Sequence, residues 1–205
     1  MIFPLGEYLV FSMGLLAVFN KLSNRSKHVW MSVSGAWLIG RLLEIAFPWS
    51  STRIYHYHFA QILALAALAA TAWQYTSGRK ILPAVTTSFV LVGQNLLVLN
   101  EPAMFLGEQW FFGGIVLLIS FLSTADFWGI ALALAGGILL DLGMSVLLFQ
   151  GVVRYYELPD PFYWQLSIAF LTSLSIGKSL SLLWHRRSAE KLKESEDYSL
   201  KNGKE

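Results

Sequence analysis

The chain has 205 residues and a net charge of only +2, with 55% hydrophobic and 14% charged residues. Soluble domains average about 25% charged residues, so this composition excludes an ordinary water-exposed surface as well as intrinsic disorder. The absence of cysteine excludes disulfides and thiolate metal centres, and the balance of 15 basic against 13 acidic residues leaves no basic face for nucleic acid. The sequence therefore predicts a small multi-pass membrane protein.

Seven apolar stretches follow one another along the chain. A helix needs about 20 residues to cross a hydrocarbon core about 30 Å thick, and most of the stretches approach that length. The first is the shortest and contains Glu7, and Pro102 helps to separate the fourth from the fifth, because proline disfavours helix at the residue before it. We predict an all-α fold, a polytopic membrane bundle of seven transmembrane helices within residues 1–185. The predicted spans are 5–20, 29–47, 54–75, 81–99, 104–122, 127–152 and 162–184.

The positive charges near the span ends predict the orientation of the bundle. The first loop, the third loop and the segment after the seventh span carry lysines and arginines, whereas the loops on the opposite side carry more acidic than basic residues. This alternation predicts an N-terminus outside and a C-terminus in the cytoplasm of a plasma membrane. Residues 186–205 are left as a charged cytoplasmic tail, for which the composition predicts disorder.

Polar side chains inside the spans are candidates for function, because a charge in hydrocarbon is costly unless it is paired or hydrated. Arg41 and Asp141 fall at about the same depth, in the outer half of the membrane. The functional interpretation is a polar cavity that opens to the outside and takes a small polar or anionic solute. The structural interpretation is that Arg41 pairs with Glu44 one turn away, or with Asp141 across helices, to hold the bundle together. The candidate site consists of Arg41, Glu44, Gln94, Asn95, Glu108 and Asp141.

Three further features have structural interpretations. His56 and His58 lie in a run of aromatic residues at the start of the third span, which is typical of an interfacial anchor. Lys178, on the cytoplasmic side of the seventh span, is predicted to extend its ammonium group toward the lipid headgroups. Glycines in the second, fifth and sixth spans predict close contacts between helices. These glycines are Gly35, Gly40, Gly113, Gly114, Gly136 and Gly137.

Three segments of the chain resemble the YphA-type membrane proteins of spore-forming bacteria. They are Glu101-Pro-Ala-Met-Phe-Leu-Gly-Glu-Gln-Trp110, Gly136-Gly-Ile-Leu-Leu-Asp-Leu-Gly143 and Ser181-Leu-Leu-Trp-His185. The resemblance implies a bacterial plasma membrane and carries no activity with it. The chain is also similar in size to the substrate-binding subunits of vitamin transporters, but those have six helices and an alanine-rich docking face that is not recognisable here.

The common hydrolase motifs are missing from the sequence. It contains neither Gly-x-Ser-x-Gly nor His-Glu-x-x-His, and it predicts no enzyme, no cofactor and no metal. The expected function is that of a non-enzymatic accessory, scaffold or regulatory membrane protein, whose partners are the lipid bilayer and a second membrane protein or another copy of the chain. The alternatives are a small-solute or ion transporter, or its membrane binding subunit, with a polar cavity in the outer leaflet, and an intramembrane enzyme without a common hydrolase motif.

Overall fold

The computed structural model describes residues 4–19, 22–46, 55–76, 81–100, 108–124, 126–148 and 156–202. Within these ranges the chain is helical apart from two strands of three residues each, which confirms the all-α class. Each of the seven described helices contains one of the seven apolar stretches, or most of it, because each stretch is bounded by polar or proline-containing segments. The elements are α1 (Leu5–Val18), α2 (Asn24–Ala46), β1 (Tyr55–Tyr57), α3 (Phe59–Tyr75), α4 (Ile81–Asn100), α5 (Glu108–Ser123), α6 (Phe127–Leu148), β2 (Tyr156–Leu158) and α7 (Pro161–Asn202).

Two of these helices, α2 and α6, are long and apolar enough to cross a membrane, judged by length and composition. The apolar helices α1 and α3 are shorter, as are the apolar parts of α4 and α5. α6 is the central helix, since it contacts α3, α4, α5 and α7. It is buried without interruption from Trp128 to Ala135, which explains why its sequence is apolar on all sides.

The pairing of the two strands fixes which loops lie together. β1 pairs with β2 in parallel, so the two strands that lead into α3 and α7 meet at one end of the bundle, here termed the strand end. The opposite end, termed the far end, brings together Ser23 before α2, Phe127 at the start of α6 and Lys178 of α7. α2 and α6 therefore run from the far end to the strand end, and α7 runs back.

Glycines allow close helix contacts at some of the predicted positions. A Cβ added to Gly40 of α2 would lie 2.6 Å from the backbone nitrogen of Ala60 and 2.7 Å from the carbonyl oxygen of Phe59, so α2 and α3 touch through their backbones. A Cβ on Gly137 of α6 would lie 2.7 Å from the Cβ of Thr87 on α4. Gly35 has no described atom within 4 Å of such a Cβ, so the predicted contact is absent there.

α7 is longer than the seventh predicted span. It extends from Pro161 to Asn202, so the backbone of residues 186–202 continues the helix past the change in composition at His185. The continuation is rich in glutamate, lysine, leucine and arginine, which are strong helix formers. Local propensity therefore maintains helical backbone where charge content alone predicts disorder. The division into a bundle and a cytoplasmic tail stays a prediction.

Candidate functional site

Arg41 is the centre of an ionic cluster that joins α1 and α2 at the strand end. Its guanidinium pairs with Glu7 of α1, and its Nη1 lies 2.7 Å from Oε2 of Glu44, one turn further along α2. Its Cζ lies 5.7 Å from the ring centroid of Trp37, within cation–π range. The side chains of Glu7 and Glu44 are only 21% and 15% exposed, so salt screens these pairs less than it screens pairs on an open surface.

Glu44 also caps the first turn of α3 by accepting a backbone hydrogen bond. Its second carboxylate oxygen, Oε1, accepts a hydrogen bond from the backbone N–H of Ala60 at 2.9 Å. Ala60 lies in the first turn of α3, where N–H groups lack helical partners and the helix dipole favours negative charge. The close approach of Gly40 to the same residue brings the carboxylate within reach. One side chain thus connects the ionic cluster to a third helix.

Asp141 belongs to a second cluster, which lies between α4 and α6. The residue is 7% exposed, and its Oδ1 accepts hydrogen bonds from Asn95 Nδ2 at 3.2 Å and from Ser145 Oγ at 3.4 Å. Asn95 Nδ2 also lies 3.4 Å from Ser145 Oγ. Ser145 shares a helix face with Asp141 because it follows four residues later. In the part of the chain that the structure describes, these partners are neutral and no ion pair involves Asp141.

Gln94 contacts a different helix from its neighbour Asn95. Tyr163 of α7 donates a hydrogen bond from its hydroxyl to Oε1 of Gln94, and both residues are buried. Consecutive residues of a helix point about 100° apart, so Gln94 faces α7 while Asn95 faces α6. Glu108, the sixth residue of the predicted site, begins α5, and its side chain lies outside the described part of the chain.

The structure divides the predicted site among separate contacts. Of the two predicted partners for Arg41, it shows Glu44; Arg41 and Asp141 make no described contact with each other. The physical reason is the order of the helices, since α2 packs mainly on α1 and α3 whereas Asp141 faces α4. Matched depth along two helices does not make those helices neighbours, and of the two pairings that the sequence leaves open for Arg41 the described structure contains the one with Glu44.

Asp160 caps α7 at the strand end. Its Oδ1 accepts a hydrogen bond from the backbone N–H of Phe162 at 2.8 Å. Burial raises the pKa of the Asp160 carboxyl above its ordinary value, and hydrogen bonds from the backbone of Phe162 and Tyr163 oppose that rise. Asp160 also interacts electrostatically with Asp141, so two carboxylates lie near each other at this end.

His58 continues the small sheet. Its backbone N–H donates to the carbonyl oxygen of Leu158 at 2.9 Å, and its Nε2 lies 4.0 Å from Oε2 of Glu157. The histidine run of the sequence thus lies next to β2 and helps to join the connections before α3 and α7. The residues that the structure describes contain no group of three histidine, aspartate or glutamate side chains placed to hold a metal ion.

Three residues of these clusters are not in the predicted site: Glu7, Ser145 and Tyr163. The sequence contains signals for two of them. Glu7 falls in the same outer half as Arg41, and Ser145 follows Asp141 at a helical spacing of four. Tyr163 gives no such signal, because a tyrosine near a span end is equally typical of an interfacial aromatic belt.

Comparisons of this chain with protein-family models, with curated proteins and with solved structures gave no match. The class of protein that the described fold defines is an all-α bundle with two helices suited to crossing a membrane.

Proposed function

We propose that this chain is a multi-pass protein of a bacterial plasma membrane that acts without catalysis, as an accessory, scaffold or regulatory protein. Its seven helices cross the bilayer, with the N-terminus and the strand end outside and the far end in the cytoplasm. Its binding partner is a second membrane protein or another copy of the same chain.

Exposed apolar side chains support the placement of the bundle in a membrane. They occur on all seven helices; Ile45 of α2 is 79% exposed, Leu122 of α5 is 74% exposed and Leu147 of α6 is 70% exposed. Soluble monomers rarely present large apolar patches to water, whereas lipid tails are as apolar as leucine and cover such a surface readily. Between the helices, polar bonds such as that from Trp30 Nε1 to Ser175 Oγ at 3.2 Å supply the attraction that helix packing in lipid needs.

The charges at the two ends support the proposed orientation. The described far end carries the cations Arg25, Lys27 and Lys178 together with one carboxylate, Asp126, whereas the described strand end carries Glu157 and Asp160 beside the ionic cluster. Cytoplasmic loops of membrane proteins contain an excess of lysine and arginine. The far end therefore suits the cytoplasmic side.

One observation carries the non-catalytic role: the polar groups in the strand-end half are used to join helices. Arg41 binds two carboxylates, Glu44 caps α3, and Gln94 accepts a hydrogen bond from Tyr163. Groups that are bonded in this way stabilise one arrangement of the bundle, because breaking a contact leaves a polar group unpaired in a medium of low dielectric constant. They are poorly placed to bind and release a substrate.

Cross-linking in intact cells, followed by purification of the tagged chain in mild detergent, tests the accessory role. We expect one membrane protein, or a second copy of the chain, at a fixed ratio. The control variant Asp141→Asn should retain the same partner, because Asp141 lies inside the bundle and its replacement leaves the outer surface unchanged. A cross-linked preparation that contains only the monomeric chain and lipid would contradict the proposal.

Asp141 favours a second candidate function, that of a proton or cation transporter. It is a buried carboxylate in a candidate span, its described hydrogen-bond partners are neutral, and Asp160 adds a nearby negative charge. Such acidic groups mark ion pathways in membrane proteins. In liposomes with an internal pH indicator, the accessory role predicts no proton flux above that of empty liposomes. A flux that the original chain supports and Asp141→Asn abolishes would establish transport instead.

A further inference from the structure

The far end contains a partly open cavity of about 220 Å³ between α2, α6 and α7. Two cationic residues, Arg25 and Lys178, line it together with the hydroxyl-bearing residues Ser26 and Ser175. One water molecule occupies about 30 Å³ of liquid, so the cavity has room for an ion of several atoms. None of these residues takes part in the strand-end clusters.

The two cations reach the cavity from different helices. Arg25 lies in the first turn of α2 and Lys178 lies on α7, and both residues are exposed. Neither side chain has an ion pair or a hydrogen bond within the described ranges, in contrast to Arg41 with its two carboxylates. Two like charges beside one cavity repel each other, so an anion between them removes an unfavourable interaction.

Ser175 adds a buried hydrogen-bond donor to the cavity. It is 2% exposed, and its Oγ accepts the hydrogen bond from the indole N–H of Trp30 at 3.2 Å. An indole N–H can only donate, so the hydroxyl proton of Ser175 remains available, and no residue in the described structure accepts it. Ser26, which is 7% exposed, likewise accepts from Ser23 Oγ at 3.1 Å and keeps its own proton for a ligand.

The starts of two helices meet at the same cavity. Ser23 precedes α2, and its carbonyl oxygen accepts the first helical hydrogen bond from Lys27 at 2.8 Å, while Phe127 begins α6. The N–H groups of a first helical turn lack helical partners, and together with the helix dipole they favour a bound anion. They add to the attraction that Arg25 and Lys178 provide.

We infer that this cavity binds a phosphate group, whose charge Arg25 and Lys178 neutralise and to which Ser26 and Ser175 donate hydrogen bonds. The headgroup of an anionic lipid and a free phosphate ion offer the same oxygens to these donors. Binding of a lipid headgroup requires the far end to lie at a membrane surface, as proposed above, whereas binding of a free phosphate ion does not.

Two measurements on the full-length protein distinguish these sources. In detergent, inorganic phosphate is titrated at constant ionic strength, and a rise in the temperature of unfolding reports a free ion. In vesicles of phosphatidylcholine with or without phosphatidylglycerol, native mass spectrometry counts the lipids that stay bound, and selective retention of phosphatidylglycerol reports a headgroup. In whichever measurement shows binding, we expect Arg25→Gln and Lys178→Gln each to weaken it about tenfold, because each removes a charge-assisted contact.

Lys27→Gln is the matched control, since Lys27 has the same charge as Arg25, lies two residues away on α2 and does not line the cavity. Unchanged binding in Lys27→Gln, together with losses in the other two variants, supports the site. Equal losses in all three variants would show only general attraction to a basic surface and would overturn the inference. Absence of binding in both measurements, from protein that unfolds at its normal temperature, would overturn it as well.

Discussion

Cationic residues at the two ends of the bundle differ in whether a described carboxylate pairs with them. At the strand end Arg41 is paired with Glu7 and Glu44, and the second oxygen of Glu44 caps a helix. At the far end Arg25 and Lys178 stand beside a cavity, and neither has a described partner. Residue type therefore does not distinguish a structural charge from a binding charge. What distinguishes them is whether the fold already supplies the opposite charge.

The strongest test of the strand end concerns Gly40, where the backbones of α2 and α3 touch. Gly40→Ala inserts a methyl group against the backbone of Ala60, which cannot move aside, and we expect a loss of about 3 kcal/mol in the free energy of unfolding. Equilibrium unfolding in mixed micelles measures it. Gly35→Ala on the same helix meets no described atom within 4 Å and serves as the control, with no loss expected. Equal losses in the two variants would contradict the described contact.

Replacement of Glu44 separates its two roles. Glu44→Ala removes both the ion pair with Arg41 and the cap on Ala60, and we expect it to cost about 2 kcal/mol in the free energy of unfolding. Glu44→Gln retains an oxygen that can accept the Ala60 N–H, so its cost is expected to be about half as large. Both values come from the same unfolding assay. If the two variants were equally destabilised, the cap on α3 would contribute nothing.

Double-mutant cycles measure the coupling energy of Arg41 with Glu44 and with Asp141. We expect Arg41→Gln and Glu44→Gln to be coupled by about 1 kcal/mol, because the two side chains form an ion pair. Arg41→Gln and Asp141→Asn are expected to be additive to within about 0.5 kcal/mol, because the residues belong to separate clusters. Strong coupling in the second pair would restore the contact that the sequence suggests.

The smallest expected effect is a pH dependence that originates at Asp160. Burial raises the pKa of this carboxyl in the folded chain, so the folded state binds the proton more tightly than the unfolded state does. Stability contributed by Asp160 should therefore fall as the pH rises from its ordinary pKa of 3.8 toward the raised value. Asp160→Asn keeps an oxygen to cap α7 and should remove this part of the slope. An identical pH profile in the variant would show that Asp160 is not the source.

Apolar runs and proline positions were enough to predict the class and the seven helices, because each helix contains one predominantly apolar stretch. The depth of Arg41, Glu44 and Asp141 could be estimated from helical rise alone. Helical rise does not show which helices are neighbours. The sequence therefore could not show that Asp141 contacts Asn95 of α4 and not Arg41 of α2. Ser175 precedes Lys178 by three residues on the same helix, so the sequence places these two together, but nothing in the sequence brings Arg25 of α2 beside them.

Labelling of single cysteines tests most directly the claim that the two ends lie on opposite sides of a membrane. The natural sequence contains no cysteine, so an introduced thiol is the only one present. Asn24→Cys places it at the far end and Glu157→Cys at the strand end, both at exposed or partly exposed positions. In intact cells a membrane-impermeant maleimide should label Glu157→Cys, and it should label Asn24→Cys only after lysis. Labelling of both variants in intact cells, or of Asn24→Cys alone, would contradict the account.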